Sequence, residues 1–502
     1  MSKKPNILLI TADQWRGDCL GVIGHPTIQT PTLDAFAKEA TVFARHYSAT
    51  APCSPARASL YTGLLQSNTR VIGNGAPLDD RFDNIARAAR RAGYVPTLFG
   101  YTDTSPDPRV HDRNDPAVTT YEGVLPGFAV GQSLPENDRP WYAWLKERNP
   151  DRPALEDIHK VEPESGEKVS LKSTCYSKDE TQTAFLTDRF LSWASAQDQP
   201  WMAHISFLRP HPPLCVPAPY NTLYDPDDGP DFAGAETPEE EAAFHPMVAA
   251  IQQVMGASHH VLGCEGLVRD LSRRDLKRMR ALYYGMITEV DAQLGRMFAG
   301  LKALGVDEDT IIIFTSDHAE MMGDHWMLGK GGFHEQSYHI PLMIRVPGKP
   351  SAGQVEAFTS STDIFPTLLD LWGIEPKHSP DGRSLMPFLE GKQPDSWRQA
   401  AIWEFDFREL QAVLPQLVNK PDPDISPALM SSFGPYWHYV HIPAMEPILI
   451  ASERVSAPKP NHASDPAYAS VALEETGRLL SVRMRANEET LAKQPVWAYY
   501  GD

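Results

Sequence analysis

Long apolar runs are missing from this sequence. No stretch approaches the ~18 consecutive apolar residues that a membrane-spanning helix requires, which argues against a helical membrane protein. The first residues, Met1 to Trp15, start basic but hold only the short apolar run Ile7 to Ile10. That run is too short for a secretory signal, so the chain reads as cytoplasmic. Cysteine is scarce as well. Cys19, Cys53, Cys175, Cys215 and Cys264 are widely scattered, which excludes a disulfide framework, and no Cys-x-x-Cys pair suggests structural zinc. Positive charge is outweighed: the formal net charge is −19, which argues against non-specific binding to nucleic acid or to an anionic membrane. There is no internal repeat and no low-complexity tract.

What is present is an ordinary globular composition, 42% hydrophobic and 22% charged, in a chain of 502 residues that can bury at least one large core. Proline is abundant, 45 residues, and predicts long ordered loops laid over that core.

The informative pattern is a set of apolar runs, each ending in a polar cluster. Asn6 to Thr11 leads into Asp13 and Gln14; Val95 to Gly100 leads into Tyr101, Thr102 and Asp103. Trp201 to Leu208 leads into Arg209 and His211; Thr310 to Thr315 leads into Asp317, His318 and Glu320. Such runs fit strands buried on both faces of a largely parallel sheet. Helical patterns lie between them at Thr32 to Glu39, Phe82 to Ala92, Asp179 to Ala196 and about Ser272 to Leu304. This alternation predicts an α/β fold, a mostly parallel sheet sandwiched by helices. Ligands of open α/β sheets sit outside the carboxyl ends of the strands, where all these polar clusters would gather.

After Trp372 the pattern changes to short strands at Ala400 to Phe407, Tyr436 to Ile442 and Pro447 to Ala451. A charged helix follows between Tyr468 and Ala492. The division predicted is a catalytic domain over residues 1–375 and a smaller C-terminal α+β domain over residues 376–502. Residues 409–435, rich in Pro, Leu and Ser, read as an arm or lid and point to a homo-oligomer, either dimer or tetramer.

Asp13, Asp317 and His318 each follow an apolar strand. Two carboxylates and an imidazole suit one divalent metal ion with an open face, with Mn²⁺ or another transition ion favoured by the imidazole over Ca²⁺. Helix capping and surface turns are the bland alternatives for the same residues. Cys53 stands in Cys53-Ser54-Pro55-Ala56-Arg57, followed by Ala58 to Gly63. Pro55 suits the first turn of a helix and Gly63 its end, so Cys53 lies where backbone N–H groups attract an anion. Arg57 is one helical turn away. By position alone, a buried structural cysteine is the better reading.

The Cys-x-Pro-x-Arg pattern at Cys53 to Arg57, continued by Ala-Ser-Leu-Tyr-Thr-Gly, resembles the sulfatase family of the alkaline phosphatase superfamily. Pro5 to Gln14, Thr315 to His318 and Asp381 to Leu385 look like that family's opening strand, second metal motif and domain junction. Asp13 to Arg16, Gly100 to Thr102, Pro106 to Arg109, Arg209 to Pro213, Gly323 to His325 with Leu328 to Lys330, and Glu404 to Arg408 are similar to the bacterial phosphonate monoester hydrolases and their arylsulfatase relatives.

The resemblance implies an alkaline-phosphatase-like fold and oxidation of Cys53 to formylglycine by a formylglycine-generating enzyme. It implies metal ligation by Asp13, residue 53, Asp317 and His318. Cys53, Arg57, His211 and Lys330 would be catalytic, with Gln14, Asn74, Tyr101 and Asp103 against the substrate. The hydrated aldehyde offers one hydroxyl for attack and a second whose deprotonation expels the product anion, an exit that serine lacks. Two departures stand out. Most sulfatases carry paired aspartates at the first site and Asn beside the second, where this chain has Asp13-Gln14 and Asp317-His318. Where the phosphonate hydrolases have threonine, this chain has Asp103, whose carboxylate would repel a dianion and favour a singly charged ester. The expected activity is arylsulfatase-like cleavage of sulfate monoesters with side activity on monoanionic phosphorus esters. The alternative is a phosphonate monoester and phosphodiester hydrolase with sulfatase side activity. His325 and His334 invite a second metal site but are read as structural or as supporting the residues that touch the ion.

Overall fold

The computed structural model describes residues 4–112, 114–408, 427–443, 445–453 and 459–486. Its main sheet has eight strands: β1 (Asn6–Ala12), β2 (Thr41–Phe43), β4 (Pro96–Gly100), β5 (Ala129–Ser133), β6 (Met202–Phe207), β7 (Thr310–Thr315), β8 (Leu342–Arg345) and β9 (Gln354–Val355). The strand order is β5-β4-β6-β1-β7-β8-β2-β9. From β5 to β7 every pairing is parallel; β8 runs antiparallel to both β7 and β2. Two short parallel strands, β3 (His46–Tyr47) and β10 (Thr359–Ser360), form a separate pair.

The sequence of β1 explains its central place. Every residue of NILLITA is buried, as are all those of β6 and β7. Successive side chains of a strand point to opposite faces. Ile7 and Leu9 therefore pack in one core with Leu60, Ile85, Ala89 and Leu368, while Leu8 and Ile10 pack in the other with Phe185, Leu186, Leu282 and Met286. These partners belong to the helices Cys53–Thr62, Ile85–Arg91 and Ile364–Trp372 on one side, and Gln182–Ala194 and Arg273–Ala303 on the other. The last helix starts in a capping box: the Ser272 side chain accepts from the Asp275 backbone N–H, and the Asp275 side chain accepts from the Ser272 backbone.

A second sheet, β11 (Ala401–Asp406), β12 (Ala428–Phe433), β13 (Trp437–His441) and β14 (Ile448–Ala451), is an antiparallel meander. The helix Ala469–Arg485 lays Leu479 on Met430, Tyr439 and Leu449. On its other side Trp403 of β11 stacks against Tyr47 of β3 and against Tyr338, just before β8.

The expected arm or lid over 409–435 is corrected in its last part: 428–433 is β12, paired on both sides in the sheet, whereas 409–426 lies outside the described residues. Several strands had no sequence signal. Strand β5 (AVGQS) is half exposed, with Val130 52% accessible, and β2 is too short to show a period. No helix among the described residues is long and apolar enough to cross a membrane.

Candidate active site

Parallel pairing makes β4, β6, β1 and β7 end on the same edge, so their C-terminal turns meet. The helix Cys53–Thr62 points its N-terminus into that meeting place. The helix closes on Gly63 at φ 72°, a left-handed position that favours glycine, and a Cβ there would also press to 3.1 Å from Pro380.

Cys53 is buried, with Sγ 3.1 Å from His318 Nε2. His318 Nδ1 donates to the Ala319 carbonyl at 3.1 Å, which leaves Nε2 free to face the cluster. Nε2 lies 3.8 Å from Asp13 Oδ1 and 3.6 Å from Asp317 Oδ2. One ligand atom from each of Asp13, Cys53, Asp317 and His318 falls within 4.8 Å of all the others. Asp13 Oδ2 accepts from Arg57 Nη2 at 3.0 Å and from the Tyr101 hydroxyl, yet Asp13 Oδ1, fully buried, has no hydrogen-bond partner. An orphaned carboxylate oxygen facing an imidazole nitrogen and a second carboxylate is what a divalent cation would satisfy. The donor set fits one. Burial disfavours charge on Asp13, but His211, Arg57, His318 and Lys330 outweigh it and hold the carboxyl well below its ordinary range. Burial, with Asp13 next, pushes the Cys53 thiol up.

Arg57 spends its guanidinium on protein: Nε to Asp317 Oδ2 at 3.0 Å, Nη2 to Asp13, and Nη1 to Ser206 Oγ at 2.8 Å, with its plane over the Tyr101 ring. It therefore braces two carboxylates from behind. Tyr101 does the same for Asp13, and Asn74, itself exposed, accepts from the Ser54 backbone N–H at 3.0 Å and caps the helix start. In the structure Arg57, Tyr101 and Asn74 are thus committed to shaping the site.

Gln14 sits in a left-handed turn, φ 69°, directly after β1. Its backbone N–H donates to Asp317 Oδ1 at 3.2 Å, its Oε1 accepts from Lys330 Nζ at 2.6 Å, and its Nε2 donates to Glu320. Burial disfavours the Lys330 charge, but Cys53, Asp13, Asp317 and Glu136 raise its pKa above the ordinary lysine value. His211 donates from Nδ1 to the Pro212 carbonyl at 2.8 Å. Burial and then Lys330 push its pKa down to about 3. Asp103, φ 46°, is 1% exposed, and neither of its oxygens has a hydrogen-bond partner. Its ion pair is a long one, 3.8 Å to Arg57 Nε, and burial pushes its pKa well up.

Three neighbours receive no role from sequence reasoning. Glu136 brings a carboxylate within 4.8 Å of ligand atoms of both Cys53 and His211. It follows β5, so it obeys the same strand-end rule, but β5 lacks the apolar run that flags the others. Glu320 had been visible in the cluster after β7 without a role; burial raises it to about 7, and it fixes Gln14 and the N–H of Met322. Ser206 is an interior residue of β6 whose hydroxyl carries no sequence signature.

The sulfatase family model matches residues 5–374. The multifunctional alkaline phosphatase superfamily protein PehA of Trinickia caryophylli is 37% identical over 98% of this chain and 97% of its own. An arylsulfatase of Clostridium perfringens is 31% identical over 81% of this chain and 82% of its own. The crystal structure of the phosphonate monoester hydrolase of Agrobacterium radiobacter superimposes with a TM-score of 0.92 at 52% identity, covering 97% of both chains.

Proposed function

The chain belongs to the sulfatase family and is a hydrolase of sulfate or phosphonate esters; we propose that phosphonate monoesters and phosphodiesters are its preferred substrates, with sulfate-ester cleavage as a side activity. The observation that carries this order is the 52% identity to a phosphonate monoester hydrolase along 97% of both chains, against 31% to an arylsulfatase. This reading takes up the alternative expectation in place of the order with sulfate esters first. Glu136 beside Cys53 supports a substrate of single negative charge, which both ester classes supply.

Asp13, Asp317, His318 and residue 53 would hold one divalent ion. When bound, the ion supplies Lewis acidity and, with formylglycine made from Cys53, an ionised hydroxyl as nucleophile. Arg57 and Tyr101 fix Asp13, and Arg57 also fixes Asp317. Lys330, held by Gln14, keeps a positive charge for the non-bridging oxygens. The leaving alcohol needs a proton. His211 delivers it from Nε2 once its ring is charged, a state that the entering anion and Glu136 favour; Lys330 is the other source.

The test is turnover of aryl phosphonate monoester, aryl phosphodiester and aryl sulfate side by side, on enzyme whose residue-53 peptide has been characterised by mass and carbonyl reactivity. The highest kcat/KM is expected for a phosphorus ester. A higher value for the sulfate overturns the order, and a fully active enzyme with an intact Cys53 thiol overturns the nucleophile.

A further inference from the structure

Away from the catalytic cluster, the turn at 322–326 is unusual: Met322, His325 and Trp326 all adopt positive φ, at 47°, 55° and 57°. Non-glycine residues in this region are strained, and such strain concentrates at ligand clamps and functional turns. Here it presents the His325 ring to Glu241 on the helix Pro238–Phe244, with Nδ1 2.7 Å from Glu241 Oε1. Glu241 is itself oriented, because Oε2 accepts from the Ala235 backbone N–H at 2.6 Å. His334 completes the group. Its ring stacks on His325 with centroids 3.8 Å apart, it is 5% exposed, and its Nε2 has no hydrogen-bond partner. A buried, unpaired ring nitrogen is costly unless something occupies it.

We infer that Glu241, His325 and His334 form a second metal site, taking a Zn²⁺-type divalent ion and clamping the segment that follows Lys330. One ligand atom from each residue lies within 4.8 Å of the other two. Two imidazoles and one carboxylate are a borderline donor set that suits Zn²⁺ and is poor for Ca²⁺. The residues line a cavity of about 70 Å³ that also receives His438 of β13, whose Nε2 is likewise buried and unpartnered. That volume leaves room for a water on the ion's open side, with His438 as its hydrogen-bond acceptor. Gly234 keeps the donors clear: a Cβ there would fall 2.5 Å from Glu241 Oε2 and 2.9 Å from His325 Nδ1.

Two consequences follow from the geometry. The stacked rings must swivel for their lone pairs to converge, and the ion displaces the proton now shared between His325 Nδ1 and Glu241 Oε1. The ion would also join the helix Pro238–Phe244 and the 322–326 turn to His334. Between His334 and Lys330 lie only Gly331, Gly332 and Phe333, and both glycines have positive φ. Their freedom is what the clamp would remove.

The experiment is equilibrium dialysis of chelator-stripped, full-length protein against Zn²⁺ alone, with bound metal measured by mass spectrometry. Two ions per chain are expected in the parent and one in each of Glu241→Gln and His334→Ala. One ion in the parent, or two in both variants, overturns the proposal. Should His334→Ala misfold, an Asp317→Asn background keeps the question open to test. Co²⁺ added to it should give the visible absorption of a four- or five-coordinate nitrogen-containing site, lost on adding Glu241→Gln. Absence of that band in the Asp317→Asn protein, or its persistence in the double variant, refutes the site.

Discussion

Lys330 donates from Nζ to Gln14 Oε1 at 2.6 Å, although 316 residues of chain separate them. Gln14 is held in turn by Glu320, whose other oxygen collects the backbone N–H groups of Met322 and Gly329. The loop bearing the positive charge and the strand end bearing Asp13 are therefore tied through one amide. Each partner is placed by the other.

Lys330→Ala should lower kcat/KM for an aryl phosphonate monoester by about 10²–10³, the usual cost of losing one preorganised donor to a developing oxyanion. Gln14→Ala should lower it less, because the lysine survives but loses its anchor. Steady-state kinetics with metal content checked in parallel decides this. An unchanged rate in Lys330→Ala removes the residue from the machinery.

Arg57→Leu strips two buried carboxylates of their shared partner. Breaking a buried ion pair costs about 3–5 kcal/mol, and urea melts of chelator-treated protein should show a loss of that size. Adding divalent metal should restore part of it, since a cation replaces the missing charge between Asp13 and Asp317. A loss below about 1 kcal/mol would mean the arginine does not carry that load.

Asp103→Asn removes a buried carboxyl beside Arg57. Because burial favours the protonated, uncharged acid, the ratio of turnover on a dianionic phosphate monoester to that on a monoanionic diester should stay within about twofold of the parent's. Competition kinetics with paired aryl substrates measures it directly. A rise of about tenfold or more would mean that the carboxyl is charged and takes part in charge selection.

Glu289 tests the pH dependence of stability at a site apart from the chemistry. Burial raises its pKa from 4.5 to about 7, while Thr181 donates to Oε1 at 2.6 Å. The folded state thus favours the protonated acid. Its contribution is complete below about pH 4.5 and is lost as the pH rises to about 7, a decline of about 3 kcal/mol. Glu289→Gln should remove that decline, so denaturant melts at pH 5 and pH 7.5 should differ less than in the parent. An equal difference in both proteins would assign the pH dependence elsewhere.

The buried strands were legible because each has an apolar run: Thr310 to Thr315 was delimited to the residue, and the start of β1 at Asn6 likewise. Strand β5 was not, because an edge strand such as AVGQS needs no continuous hydrophobicity, and the inner strand β8, though apolar, spans only Leu342–Arg345 and is too short to stand out. The same difference separates Asp317 from Glu136. Both end a strand of one sheet, but only the first follows a strand that announces itself.

The sequence by itself determined the chemistry-bearing residue types and their local settings. Cys53 had to start a helix because Pro55 suits its first turn and Gly63 its end, and Asp13, His211, Asp317 and His318 had to follow apolar strands. Only the tertiary structure decided which groups face one another. Arg57 could have met substrate or carboxylates; its Nε and Nη2 sit at 3.0 Å from Asp317 and Asp13. Such choices depend on strand order and on side-chain direction across contacts as long as 316 residues. Local propensity cannot encode them, because the free energy of a buried charge is set by neighbours that the chain brings together only when folded.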